Sequence, residues 1–377
     1  MTTVIVLGVE HAAQLVGRAY HPGYFRAFFD RVRPAAICVE RSPEEFARGD
    51  YYEFTHEVQH IAVPYARAKG LELCPIDWLP SRDDERLAFG RLEVVELPAV
   101  RQPRGFQGFL VLDSAALRRT LFYADAEQDR ATHRAWYDRP RAEGWMDFPR
   151  RLGLYRTFMQ AMRVRAAARG RAGDTLLVVV GSTHKEDIER VLTGDAGIRV
   201  VQPSALSVPP PAEAERQLTT TDLYAIATFN LLGVQAALGP VDWAWVGEVL
   251  DRLERAAGRS PEVRLLRTRH GVLRGTLRPD DAIASYATIA KEAPPQARFT
   301  FTGVEDARRL DSYFDPFGNL GVRQRALLEQ AREHGRAGRA ARAHDLRREL
   351  LASGSWPPMR RAQLLAYWQR YIVSEDG

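Results

Sequence analysis

The sequence predicts an α/β fold: a mainly parallel sheet flanked by helices, with a mostly helical C-terminal region. Three observations lead there. Short continuous apolar runs recur through the first half, helical patterns separate them, and long helical patterns take over beyond the stretch Val208-Pro209-Pro210-Pro211. Continuous rather than alternating runs mark strands covered on both faces, and the helices between them supply right-handed crossovers.

The first run, Val4 to Leu7, ends in Gly8. A helical stretch from Gly23 to Arg31 leads into the second run, Ala35 to Val39. A helical pattern from Tyr51 to Lys69 precedes the third, Leu71 to Ile76. Residues 82–173 are less regular, with helical, Arg-rich and aromatic stretches (Leu117 to Ala124, Phe148 to Ala168), and read as a helical insertion over about 110–172. The fourth run, Thr175 to Val180, ends in Gly181; a helix from Lys185 to Leu192 and a last run, Ile198 to Val201, follow. Proline interrupts regular structure, so the boundary is placed there: a first domain over 1–208 and a mainly helical accessory region over 209–377. In that region Asp222 to Ala257 reads as one or two helices broken near Gly239-Pro240. Val263 to Leu277 and Ala297 to Thr302 read as strands, and Gln324 to Leu351 and Met359 to Val373 as helices.

Composition bounds the rest. The 377 residues are 45% hydrophobic and 27% charged, which excludes a disordered chain and a disulfide-stapled miniprotein. A net charge of +5 invites nucleic acid, but only Lys69, Lys185 and Lys291 are lysines among 53 basic residues, and 48 acids nearly balance them. The arginine excess reads as a compositional bias, and no specific nucleic-acid partner is expected. The arginines from Arg325 to Arg348 alternate with Glu329, Glu333, Asp345 and Glu349 and read as a solvated helix face. Met1-Thr2-Thr3 lacks the basic start of a secretory signal. Leu223 to Gly239, with Asn230 and Gln235 inside it, falls short of the roughly 20 apolar residues of a membrane span and reads as a buried helix. Cys38 and Cys74, each in an apolar run, are expected as buried reduced thiols suited to the cytoplasm.

The chemistry-bearing feature is an internal echo. The first strand, Gly8, two residues and His11 are matched by the fourth strand, Gly181, two residues and His184. Loops at the carboxyl ends of the strands form the ligand crevice of an open α/β sheet, and each Gly permits a sharp exit toward it. If the two strands are neighbours, His11 and His184 face each other. The second run ends in Glu40-Arg41 and the third in Asp77-Trp78, bringing carboxylates to the same edge. Two histidines with one or two carboxylates can bind a divalent cation or orient a water. A competing motif, His56-Glu57-Val58-Gln59-His60, reads H-E-x-x-H, the helical spacing of a zincin with Glu57 as base and a distant carboxylate such as Asp83 or Glu85 as third ligand. Its other reading is a helix packed on the sheet with His56 near the exposed end and its first turn (Tyr51, Tyr52, Glu53, His56) lining the crevice; Pro64 is expected to end or kink it.

The two G-x-x-H motifs and the strand-end Glu40 resemble the TraB/PrgY, TIKI, erythromycin-esterase and ChaN superfamily, over Val4 to about Gln202. Gly8 to His11 matches the first motif, Gly181 to His184 the second, and Glu40 the glutamate between. Glu10 departs from the esterase branch, whose extra Glu stands three before the histidine. Arg156 is the nearest match to an Arg that the superfamily places ahead of the last strand. The resemblance implies an esterase/ChaN-like sheet and a hydrolase cleaving a peptide amide or small-molecule ester bond. His11, Glu40 and His184 would hold a divalent metal ion (Mn, Co or Zn), or the histidines would activate water directly, with Arg41 or Arg156 neutralising the oxyanion. The alternative is a non-catalytic module binding metal, haem or peptide, with the C-terminal helices docking a partner or a second copy.

Overall fold

The computed structural model describes the chain except residues 51, 53, 90–96, 105–107, 140–146, 304 and 374–377. It divides into two compact units: residues 1–97 with 118–218, and residues 98–117 with 219–377.

The first unit is built on one sheet of five parallel strands: β1 (Thr2–Val9), β2 (Ala36–Val39), β3 (Glu72–Pro75), β4 (Thr175–Gly181) and β5 (Ile198–Val201), ordered β3-β2-β4-β1-β5. The chain lays down β1, crosses to β2 and β3 on one side, returns to fill the place between β2 and β1 with β4, and leaves on the far side of β1 as β5. The strand order therefore reverses around β1 and β4, where such sheets open their crevice.

Both faces are covered, which is why the runs are continuously apolar. On one face Val4, Val6, Ala36, Cys38, Leu176, Val178 and Val180 pack against Ala161, Val164 and Ala168 of α6 (Phe148–Ala168) and Ile188 and Leu192 of α7 (Ser182–Thr193). The alternate residues Ile5, Leu7, Ile37, Val39, Leu177 and Val179 are equally buried. On their side a π-helix, Glu57–Ala62, lies against β2 and β4 and against α1 (Pro22–Val32). Pro64 does not end this segment. The wide π turn passes into α3 (Val63–Lys69) with the proline in its first turn, where a missing N–H costs least. Short helices α2 (Pro43–Arg48) and α4 (Arg82–Phe89), with α5 (Glu127–Asp138), complete the middle of the unit.

The boundary expected after residue 208 lies ten residues later. Helix α8 (Pro211–Arg216) packs on α1, where Arg26 donates to the Gln217 carbonyl (3.2 Å) and Arg31 pairs with Glu213 (2.6 Å). The expected insertion is also divided. Residues 98–117 join the second unit, held by Arg101 N–H to the Tyr367 hydroxyl (2.8 Å) and Leu112 N–H to the Gln235 side chain (2.8 Å), while α5 and α6 stay in the first.

The second unit is helical: α9 (Thr220–Leu231), α10 (Gln235–Leu238), α11 (Trp243–Ala257), α12 (Pro261–Leu273), α13 (Pro279–Glu292), α14 (Val322–Arg336), α15 (Ala340–Ala352) and α16 (Pro358–Trp368). The strands expected at Val263 to Leu277 and Ala297 to Thr302 are absent. Ser260 caps α12 by accepting the Val263 N–H (3.3 Å), Pro261 starts it, and Glu262, Val263, Leu265, Leu266 and Arg269 bury one helical face. Phe299 and Phe301 are both buried, but in irregular chain with no strand beside it. The arginine-rich stretch is not wholly a solvated face. Arg325 is buried, bonding Asp315 (2.6 Å), Glu329 (2.8 Å) and the Leu232 carbonyl (2.9 Å), whereas Arg336, Arg342 and Arg348 lie outside. Leu223 to Gln235 is buried, Ala237 beyond it is exposed, the stretch is divided between α9 and α10, and no helix among the described residues is long and apolar enough to cross a membrane.

Candidate active site

Three neighbouring strands deliver the candidate residues to one edge. β4 is central, with Val9 of β1 opposite Gly181 and Val39 of β2 opposite Val179. Glu40 follows β2 directly. His11 follows β1 after Glu10 and precedes Ala12, whose φ of 59° places it in the left-handed region that a non-glycine residue adopts only at a cost of order 1 kcal/mol. β4 passes into α7 without a loop, so His184 is not in a loop as the motif implied but in the first turn of that helix.

The buried Glu40 carboxylate stands between the two imidazoles. Its Oε2 accepts the Gly181 N–H (2.6 Å) and lies 3.7 Å from His11 Nε2; its Oε1 lies 3.5 Å from His184 Nε2. Gly181 makes this approach feasible: a Cβ there would stand 2.9 Å from His11 Nε2 and 3.3 Å from Glu40 Oε2. The glycine that suggested a sharp turn in the sequence is required by close packing.

Each histidine is held from behind. His11 Nδ1 is 2.7 Å from Glu57 Oε1, and the ring meets Phe54 edge-on at 5.0 Å. His184 Nδ1 is 2.6 Å from the Thr157 hydroxyl, which donates to the Gly153 carbonyl (3.0 Å) one turn earlier in α6. With the hydroxyl proton directed there, the ring hydrogen of neutral His184 resides on Nδ1, and Nε2 carries the lone pair. Arg156, the residue before Thr157, binds Asp77 through Nε and Nη2 (both 2.7 Å) and Glu40 Oε1 through Nη2 (3.0 Å). Asp77 also accepts Gln160 (2.7 Å) and the Tyr52 hydroxyl (2.5 Å).

These contacts set the charges. Burial disfavours the His11 imidazolium, but Glu57 and Glu40 outweigh it and raise the group from 6.5 to about 9. Burial would raise Glu40, yet His11, His184 and Arg156 hold it far below the usual carboxylate range. At neutral pH the edge therefore holds a His11 cation beside a Glu40 anion. Burial, then Asp77, drives the Tyr52 hydroxyl far above its ordinary value, so it remains a donor.

No protein-family model, curated protein or solved structure matches the chain.

Of the five expected residues, His11, Glu40, His184 and Arg156 come together. Arg41 is buried with its guanidinium 4.4 Å over the Tyr52 ring and 3.5 Å from Glu45, a placement behind Glu40. The carboxylate Glu57, expected as a zincin base, instead engages His11. His56 is buried rather than near an exposed end, its ring 4.9 Å from that of His60, and burial, then His60 and Arg26, pulls it well below 6.5. Asp83 is exposed and pairs with Arg86 (3.3 Å). Tyr51 and Glu53, expected to line the crevice, lie outside the described residues. Thr157, Gln160 and Glu57 as partner of His11 were not foreseen; Tyr52, expected at the crevice, bonds Asp77. The i, i+4 spacings Gly153–Thr157 and Arg156–Gln160 on α6 are the signals that point to Thr157 and Gln160.

The surroundings of Glu40 weigh against a divalent cation at the set His11, Glu40 and His184. Both Glu40 oxygens already accept hydrogen bonds, one from a backbone N–H and one from the Arg156 guanidinium, which holds the cationic place beside the carboxylate. Among the described residues no group of three His, Cys, Asp or Glu side chains is disposed to hold a metal ion.

Proposed function

We propose that the first unit is a hydrolase that cleaves an ester or amide bond with water activated by histidine rather than by a metal ion. The observation that supports this most is the pair of imidazoles on either side of one buried carboxylate at the carboxyl edge of the sheet. The resemblance of the two G-x-x-H motifs to a superfamily with such chemistry supports it as well.

His184 is the base. Its Nε2 lone pair takes a proton from water, and the imidazolium that forms lies against Glu40 Oε1, 3.5 Å away. Thr157 fixes the tautomer and aims the ring. His11 is the acid. Held protonated by Glu57 and Glu40, it supplies an N–H to the developing oxyanion and then a proton to the leaving group. Arg156, tied to Asp77 on two nitrogens, holds Glu40 in place rather than reaching substrate. Trp78, Tyr155 and Phe158 stand next in sequence to these groups; Tyr155 and Phe158 are exposed, and Trp78 meets Tyr155 edge-on at 5.1 Å. They favour a substrate with an apolar or aromatic substituent. The two free thiols suit a reducing compartment such as the cytoplasm.

A panel of aryl esters, lactones and peptides, assayed with and without chelator, tests the proposal. Turnover lost in both His11→Ala and His184→Ala and indifferent to chelator supports it. Wild-type rates in both variants refute it.

A further inference from the structure

The chain has two cysteines, and the sheet sets them side by side. β2 and β3 pair in parallel with Cys38 opposite Cys74, in a ladder that runs from Ala36–Glu72 to Val39–Pro75. Paired residues on neighbouring strands project to the same face, and both sulfurs belong to the core formed with α6 and α7. Neighbouring strands lie about 4.8 Å apart, inside the roughly 4.4–6.8 Å over which a disulfide joins two Cα atoms. The two thiols influence each other, and they differ. Cys38 is fully buried in an inner strand. Cys74 is on the edge strand, half-buried, with Glu72 3.7 Å from its sulfur and Arg171 paired to that glutamate. Cys38 draws the Cys74 thiol below its ordinary value, and Cys74, then burial, raises Cys38. One thiol is thus accessible and more acidic, and the other is poised directly behind it.

We propose that Cys38 and Cys74 form a peroxide-oxidisable dithiol that closes to an intramolecular disulfide between β2 and β3. The Cys74 thiolate attacks one oxygen of hydrogen peroxide; the O–O bond breaks, hydroxide leaves and Cys74 becomes a sulfenic acid. The Cys38 sulfur then attacks the Cys74 sulfur, the S–O bond breaks, and the departing hydroxide takes the Cys38 proton as water. Two thiols lose two electrons, and the peroxide is reduced to two waters. The bond ties the strands two residues before Glu40 and three before Asp77. The site stands independently of the proposed hydrolysis.

The test uses the reduced, full-length protein with hydrogen peroxide as the probe, followed by alkylation under denaturing conditions and peptide mass mapping. Both free thiols should disappear together. The intact mass should fall by two hydrogens, and a Cys38–Cys74-linked peptide should appear from a protein still monomeric on a non-reducing gel and restored by a dithiol reductant. In Cys74→Ser, Cys38 should stay alkylatable after the same exposure; in Cys38→Ala, Cys74 should be captured by dimedone as a sulfenic acid. If the buried Cys38 variant fails to fold, mapping of the unmodified chain decides alone. Thiols that remain alkylatable, over-oxidation of Cys74 without a linked peptide, or a disulfide only between chains overturns the proposal.

Discussion

Replacing Glu57 with Gln tests the electrostatic core of the site. Gln keeps the size and a hydrogen-bonding oxygen for His11 Nδ1, 2.7 Å away, but removes the charge. The rise of His11 from 6.5 to about 9 amounts to on the order of 3 kcal/mol in favour of the imidazolium, at about 1.4 kcal/mol per unit. Burial opposes that rise, and Glu57 is the strongest of the opposing attractions, through both charge and hydrogen bond. Assigning it half or more of the net predicts a fall of over one unit in the variant and a loss of roughly 2 kcal/mol in acid-to-neutral conditions. The sign follows from linkage. A group whose folded value is raised stabilises fully below its unfolded value, near 6.5, and that contribution fades as pH climbs through about 9. Urea unfolding at about pH 6 should therefore show the full deficit, shrinking toward about pH 10, where the wild type holds a buried carboxylate beside a neutral ring. Histidine ring signals followed by NMR give the His11 titration directly, and the alkaline limb of the activity profile should move down with it. An unchanged titration midpoint, or a stability gap constant across that range, refutes the pairing.

The other predictions concern geometry. Gly181→Ala should leave the fold intact while displacing the His11 ring, because its Cβ meets Nε2 at 2.9 Å; a misplacement on this scale predicts about a 10²-fold fall in kcat, read by steady-state assay beside a nearly unchanged Tm. Thr157→Val removes the 2.6 Å contact to His184 Nδ1, costing about 1 kcal/mol by denaturant titration and freeing the tautomer, so kcat should fall more than KM rises. Asp77→Ala strands a guanidinium that now has Glu40 as its remaining carboxylate; breaking such a buried pair costs about 3 kcal/mol, measurable by urea unfolding. Exhaustive dialysis against chelator should leave turnover unchanged, and a loss restored by a divalent ion would overturn the metal-free reading.

Most of the first unit was legible because its signals are local. A parallel strand covered on both faces must be apolar throughout, so Thr175–Gly181 and Ala36–Val39 announce themselves within a residue. The second unit was harder. Val263 to Leu277 looks alternating when its residues are taken in pairs, yet Ser260-Pro261 is a helix start and the buried positions recur at helical spacing. The division between units was hidden because it depends on partners far away in sequence. Leu112 finds Gln235, and Arg26 finds the Gln217 carbonyl, and neither pair leaves a periodic trace.

The site divides along the same line. Its three strand-end residues were readable because strand order converts a repeated local exit, Gly-x-x-His, into proximity. The groups that tune them were not, since a carboxylate's role depends on which way its turn faces. H-E-x-x-H gains its meaning from an α-helix, in which positions four apart share a face. Here Glu57–Ala62 is a π-helix, and the glutamate that the motif would assign to zinc-bound water meets His11 instead, 46 positions away. The five residues His56 to His60 carry either chemistry, and the backbone hydrogen-bonding pattern separates them. If that reasoning holds, Glu57→Gln shifts the His11 titration while His60→Ala leaves it in place; under the zincin reading His60→Ala instead abolishes bound metal and activity.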